Sequence, residues 1–125
     1  MLKEHRIRLR EPWLAEQKSH EVNSSGLSVN SSVWAFSRRF NAPTGLTDDQ
    51  QLWLCVWLVH GQVLDLEFNG HLLDLQQTSR ADWLEVDVRA VLKPFNKAVL
   101  NLQVDTTTTS PTLSKFCEVE LRIRG

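Results

Sequence analysis

A chain of 125 residues has room for one domain with a real core and not for two. Its 42% apolar and 23% charged residues are ordinary for a soluble globular protein. A net charge of −1 and a pI near 6.4 offer no broad attraction to nucleic acid or to an acidic membrane, and neither is an expected partner.

The first residues, Met1-Leu2-Lys3-Glu4-His5-Arg6, carry charge too often to hold the apolar core of a secretory signal. The longest apolar run, residues 52–59, is too short to cross a bilayer. The location expected from these two features is the cytoplasm.

Residues 5–10 alternate, with Ile7 and Leu9 on one side and three arginines on the other, which predicts a strand with one wet face. Pro12 stops it. Residues 16–32 are polar and contain the turn-forming clusters Asn23-Ser24-Ser25-Gly26 and Asn30-Ser31-Ser32, predicting a long loop that binds something or moves. Residues 33–41 form the next strand, closed by Ala42-Pro43-Thr44-Gly45.

After the polar shoulder Asp48-Asp49-Gln50-Gln51, residues 52–59 place Trp53, Cys55 and Trp57 on one face. Leu52, Leu54, Val56 and Leu58 lie on the other. A strand apolar on both faces is covered on both sides. Trp53 and Trp57 are therefore expected to meet the long loop, the N-terminal segment or another subunit.

Residues 63–68 alternate, with Leu64, Leu66 and Phe68 sharing one face. Asn69-Gly70, a turn suited to positive φ, then leads to a return strand over 71–74. Residues 83–88 alternate again, 90–93 read as a single helical turn ended by Pro94, and 99–104 place Leu100, Leu102 and Val104 inward. Residues 106–111 form a loop, and the last strand points Cys117, Val119, Leu121 and Ile123 inward. Eight strand candidates and no sustained helical period predict a single all-β domain over 1–125, an antiparallel β-sandwich or jelly roll. The arginine-rich face of the first strand and the Glu/Arg face of the last predict that these two are neighbours with opposite charges facing.

Chemistry-bearing patterns are sparse. His5, His20, His60 and His71 lack metal-ligand spacing, although His60 and His71 flank one hairpin near Asp65 and Asp74. The Asp48-Asp49 pair alone is too little for calcium. Cys55 and Cys117 form no Cys-x-x-Cys unit and read as buried thiols; a disulfide would need their strands to face each other. No serine sits in a nucleophile-elbow pattern, and Glu118 and Glu120 read as a solvated strand face. No catalytic residue, metal or cofactor is expected. Trp13 and Trp83 lie beside loops, where an indole can stack on a sugar ring or close the end of the sandwich; Trp34, Trp53 and Trp57 are assigned to core or interface.

The order of Arg38-Arg39-Phe40-Asn41-Ala42-Pro43, the strand at 52–59, Phe68-Asn69-Gly70, Val86-Asp87-Val88-Arg89-Ala90-Val91-Leu92-Lys93-Pro94 and Val99-Leu100-Asn101-Leu102-Gln103-Val104 resembles one family. It is similar to the sugar-binding jelly-roll domain of family 2 glycoside hydrolases, such as β-galactosidases and β-glucuronidases, over residues 34–105. The resemblance implies the galactose-binding-domain-like fold and a non-catalytic module, since the family's catalytic barrel has no counterpart here. Its expected ligand is a carbohydrate, with Trp13, Trp83, Arg80 and Asp82 as binding candidates.

Two departures stand out. Residues 75–82 lack the family's longer, glycine-bearing loop. Phe95-Asn96 replaces the glycine after Lys-Pro, so Asn96 is expected in the left-handed conformation. The alternative function is a structural or protein-interaction domain, such as a homodimer, that has lost sugar binding.

Overall fold

A computed structural model describes residues 4–19, 31–75, 82–105 and 112–125. Among the described residues nine antiparallel strands make two sheets. They are β1 (His5–Arg8), β2 (Leu14–Ser19), β3 (Ser31–Asn41), β4 (Gln51–Leu58), β5 (Gln62–Phe68), β6 (His71–Leu72), β7 (Trp83–Asp87), β8 (Phe95–Asp105) and β9 (Cys117–Arg124). One sheet runs β1-β9-β4-β7 and the other β2-β3-β8-β5-β6. Short 3-10 turns at Arg89–Val91 and Leu113–Lys115 precede β8 and β9. This is the all-β, jelly-roll-like sandwich that the alternating pattern predicts.

The period of two explains the core. Leu52, Leu54 and Val56 of β4 and Leu121 of β9 face Phe36, Phe68, Leu100 and Leu102 of the other sheet, all at 0 or 1% exposure. Each such side chain contributes about 1.5–3 kcal/mol of burial, which is why the alternation fixes the strands so firmly. β1 and β9 are neighbours as expected, but their charges do not simply oppose. Arg8 faces Glu120, whereas Arg6 faces Arg122. Glu4 resolves the like pair by reaching both, at 3.3 Å from Arg6 and 3.2 Å from Arg122.

Several local expectations need correction. The predicted 16–32 loop begins as β2, an edge strand whose Glu16, Gln17 and Lys18 are all exposed. An edge strand wet on both faces shows no apolar alternation, and charge there blunts unwanted pairing; residues 20–30 lie outside the described residues. In β5 the register shifts between Val63 and Asp65, so Val63 packs against the core and Leu64 is 41% exposed. A bulge of one residue re-aims the side chains on one side of it, which breaks the regular Leu64-Leu66-Phe68 face.

Asn96 is not left-handed. Among the described residues the non-glycine with positive φ is Asn69, at 53°, followed by Gly70 at 82°, as the hairpin turn requires. Asn96 instead bends the chain with its buried side chain. Its Oδ1 accepts from the Lys93 N–H at 2.9 Å and its Nδ2 donates to the Lys93 carbonyl at 2.7 Å. The loop expected over 106–111 lies outside the described residues.

Candidate functional site

The outward face of the four-stranded sheet gathers most of the chain's unusual side chains. Alternation along β4 turns Trp53, Cys55 and Trp57 outward, and pairing sets Trp83 beside Trp57 and Glu85 beside Cys55. On the other flank, β9 sets Arg122 beside Trp53, Glu120 beside Cys55 and Glu118 beside Trp57. Three indoles thus stand among alternating acids and arginines.

These groups are tied together. Arg122 lies 4.6 Å over the Trp83 ring and Arg124 5.2 Å over the Trp53 ring. Such cation–π contacts contribute about 0.5–1 kcal/mol each at partly exposed sites. Arg124 also bonds both carboxylate oxygens of Glu85, at 3.0 and 3.2 Å, and Glu4 at 2.9 Å. Arg122 bonds Glu120 at 2.6 Å. The indole N–H groups are held too, Trp83 donating to Glu85 at 2.6 Å and Trp53 to Gln51 at 3.0 Å.

Of the three coverings expected for Trp53, the long loop, the N-terminal segment or another subunit, the N-terminal segment takes part, since its Glu4 holds the Arg124 that lies over the Trp53 ring. Arginine stems lie over apolar surface while their heads remain wet, so Arg124, held by Glu85 and by Glu4, covers Trp53. Cys55 is fully buried beneath the same layer. Burial, then the nearby Glu85 charge, pushes its thiol up to about 12. The hydrogen bond from Arg124 holds the Glu85 carboxyl below the usual carboxylate range, and another from Arg124 does the same for Glu4.

Trp57 is the exception. It is 52% exposed, with its ring edge-on to Trp83 at 6.4 Å and 72°. Trp83 is fixed by its bond to Glu85 and by the Arg122 head, so the pair forms a rigid aromatic corner with one open indole. Exposed Glu118 stands across from Trp57, and the Asp82 carbonyl accepts the Leu58 N–H at 2.8 Å. A flat indole can stack on the C–H face of a sugar while the neighbouring Glu118 carboxylate accepts from the sugar's hydroxyls.

The four sequence-level candidates do not converge. Trp83 and Asp82 belong to this corner at the β7 edge. Trp13 lies beyond the opposite edge of the sheet, following β1, with 9% exposure and its N–H given to the Leu9 carbonyl at 3.0 Å. There it walls a cavity of about 340 Å³ with Arg8, Glu11, Leu113 and Cys117. Its largely buried indole closes the end of the sandwich, away from the Trp57 corner. Arg80 lies outside the described residues. Trp57, assigned from sequence to core or interface, is not core but the bare indole of this face; its outward position was legible, its bareness was not.

Cys55 and Cys117 are both free and buried. Cys55 pairs with Glu120 and Cys117 with Leu58, so their strands do not bring the two sulfurs face to face. Among the described residues no three His, Cys, Asp or Glu side chains gather as a metal site, and no helix is long and apolar enough to cross a membrane.

Fold and site together describe a small jelly-roll-like β-sandwich with an aromatic, charge-laced sheet face. No protein-family model matches the chain, and no curated protein matches it. Among solved structures, it is similar to an FMN-binding β-glucuronidase from Facaelibacterium prausnitzii L2-6, with a TM-score of 0.64 and 14% identity. That match covers 96% of this chain and 22% of the enzyme's. A second match, BuGH86wt in complex with neoagarooctaose, has a TM-score of 0.48 and 18% identity, covering 98% of this chain and 19% of that one. The chain thus spans about a fifth of the length of each. At 14% identity the property shared with the β-glucuronidase is the β-sandwich fold.

Proposed function

We propose that the chain is a non-catalytic carbohydrate-binding module, related to the sugar-binding domain of family 2 glycoside hydrolases, that holds a saccharide against the Trp57–Trp83 corner. The observation carrying this is the half-bare indole of Trp57 braced edge-on by a fixed Trp83 and flanked by Glu118. A large aromatic exposed on a rigid sheet is costly to leave in water and is pre-organised for a flat apolar face. The sandwich shared with the β-glucuronidase adds a fold-level analogy. The carboxyl groups of Glu4 and Glu85 are both held down by arginine, the opposite of what a glycosidic general acid needs.

The test is titration of neutral and acidic oligosaccharides followed by tryptophan fluorescence and calorimetry. Binding that Trp57→Ala abolishes, in a variant whose circular dichroism is unchanged, supports the module. Failure of every glycan in a broad array, or binding indifferent to Trp57→Ala, overturns it. A protein-interaction surface is the second reading, favoured by Val59, 60% exposed just beyond Trp57. Light scattering that reports a dimer, converted to monomer by Trp57→Ala, would establish that reading instead.

A further inference from the structure

The far end of the sandwich carries a second feature that the Trp57 corner does not use. Where β3 ends and β8 begins, a hollow of about 550 Å³ is lined by Arg39, Lys93, Lys97, Phe95 and asparagines. An adjoining hollow of about 590 Å³ shares Arg39 and Lys97 and adds Arg38, Trp13 and Leu14. No acidic residue lines either one. On a chain whose net charge is −1, a trough with four cations and no acid is a local concentration of charge.

The register sharpens this. Arg39 stands directly opposite Lys97 across the β3–β8 pair. Like charges so placed destabilise a sheet unless an anion sits between them. Among the described residues no carboxylate forms an ion pair with Arg39, Lys93 or Lys97, and all three are exposed. Glu67, one step along on the same face opposite Val99, makes none with Lys97. Phe95 adds a ring that is 79% exposed beside the cations.

The floor is rigid. Asn69 donates to the Val91 carbonyl at 2.9 Å and to Asn96 Oδ1 at 2.8 Å, and accepts from the Lys97 N–H at 2.9 Å. With the bonds of Asn96 to Lys93, the β5–β6 hairpin, the 3-10 turn and β8 are clamped together, which presets Lys93 and Lys97.

We infer that this trough binds an acidic saccharide, its sulfate or carboxylate group between Arg39 and Lys97 and a sugar face against Phe95. Paired cations beside one bare aromatic ring match a ligand that is both anionic and ring-faced. The near-neutral chain gives no long-range pull on a nucleic-acid strand, which favours the saccharide. The site stands at the opposite strand end from Trp57 and does not depend on that corner.

Calorimetric titration separates the alternatives, using a chondroitin sulfate hexasaccharide, a galacturonate hexasaccharide, neutral maltohexaose, sodium sulfate and an oligothymidylate. At low salt, about 20 mM, one or both acidic hexasaccharides should bind, several-fold more weakly when salt reaches about 200 mM. The double variant Arg39→Ala/Lys97→Ala should lose about tenfold or more in affinity, and Phe95→Ala less. The double variant's melting temperature should not fall, since both side chains are exposed and mutually repulsive. A galacturonate-only or sulfate-ester-only result supports the proposal and names the acid. Absence of binding by both acidic saccharides, equal affinity for oligothymidylate or free sulfate, or unchanged affinity in the double variant would overturn it. Neutral glycan binding lost in Trp57→Ala but kept in Arg39→Ala/Lys97→Ala would show that the two sites stand or fall separately.

Discussion

Replacing Asn69 separates the cost of a backbone conformation from the cost of a side-chain clamp. Asn69 holds φ at 53° and makes three side-chain bonds, to the Val91 carbonyl, Asn96 Oδ1 and the Lys97 N–H. Glycine tolerates the same φ but makes none of those bonds. Each bond contributes about 1 kcal/mol net, and water can take up the exposed Lys97 N–H, so Asn69→Gly should cost about 2 kcal/mol. Alanine loses the same bonds and adds a left-handed penalty of about 1 kcal/mol, bringing Asn69→Ala to about 3 kcal/mol. In a domain of this size roughly 4 °C of melting temperature accompanies each kcal/mol, so the two variants should melt about 8 and 12 °C below wild type.

Urea denaturation followed by tryptophan fluorescence, with equal slopes for the three proteins, reads the differences directly. An Asn69→Gly variant within a degree of wild type would mean that the clamp carries no stability. An Asn69→Ala variant more stable than Asn69→Gly would mean that the turn is not left-handed at this residue. The same clamp presets the basic trough, so Asn69→Gly should also weaken acidic-saccharide binding without removing any of its charges.

The thiols and the sheet-face ion pairs give further checks. Cys55 and Cys117 are buried, and burial first, aided by Glu85 and Glu11 respectively, pushes both thiols up to about 12. Neither should react with a thiol-specific dye in the native protein, and both should in urea. Because the folded thiols keep their protons longer than the unfolded ones, stability is unaffected below about pH 9 and falls between about pH 9 and 12 by up to roughly 1.4 kcal/mol per unit per thiol. Cys55→Ala should reduce that alkaline slope, and a chain without tyrosine keeps the measurement simple. Glu85 is the opposite case: its hydrogen bonds from Arg124 lower its pKa, so its contribution is present at neutral pH and lost as pH falls below about 4. The stability gap between wild type and Arg124→Ala, measured by urea titration, should therefore narrow on acidification; a gap that stays constant would show that the pair contributes nothing.

What the sequence made legible follows physical locality. β9 was readable because its apolar period of two reports burial on one side, and β4 because its unbroken apolar run is too short for a helix and bounded by polar residues. β2 was not, because an edge strand of Glu16, Gln17 and Lys18 buries almost nothing and so leaves no pattern. The β5 bulge hid inside a well-formed alternation, since Leu64 fits the period but the register slips beneath it. At Asn96 the expected left-handed turn was replaced by a side chain bonding to Lys93 on both its atoms, a substitution that residue type alone does not reveal. The site divides in the same way. Trp83 and Asp82, chosen because they border a turn, lie at the corner beside Trp57. The opposition of Arg39 and Lys97 depends on the pairing of two distant strands, and no local pattern announces it.

The sheet face bears on the choice between the two proposed readings, a sugar and a second subunit. A strand apolar on both faces ordinarily demands a covering layer, and here Arg122, Arg124 and their acidic partners supply it for Trp53 and Cys55. What remains bare is Trp57 at 52% and Val59 at 60% exposure. Those two side chains together offer on the order of 200 Å² of apolar surface. A stable protein interface needs about 800 Å² from each partner, so a dimer seated here would have to desolvate the surrounding salt-bridged arginines as well. One or two sugar rings need no such sacrifice, because a ring can lie on Trp57 while its hydroxyls reach the charged rim. The same arginine layer that lies over Trp53 raises the cost of seating a second subunit there, while the exposed Trp57 ring is within the size that one sugar ring can cover, which is why we favour the saccharide reading.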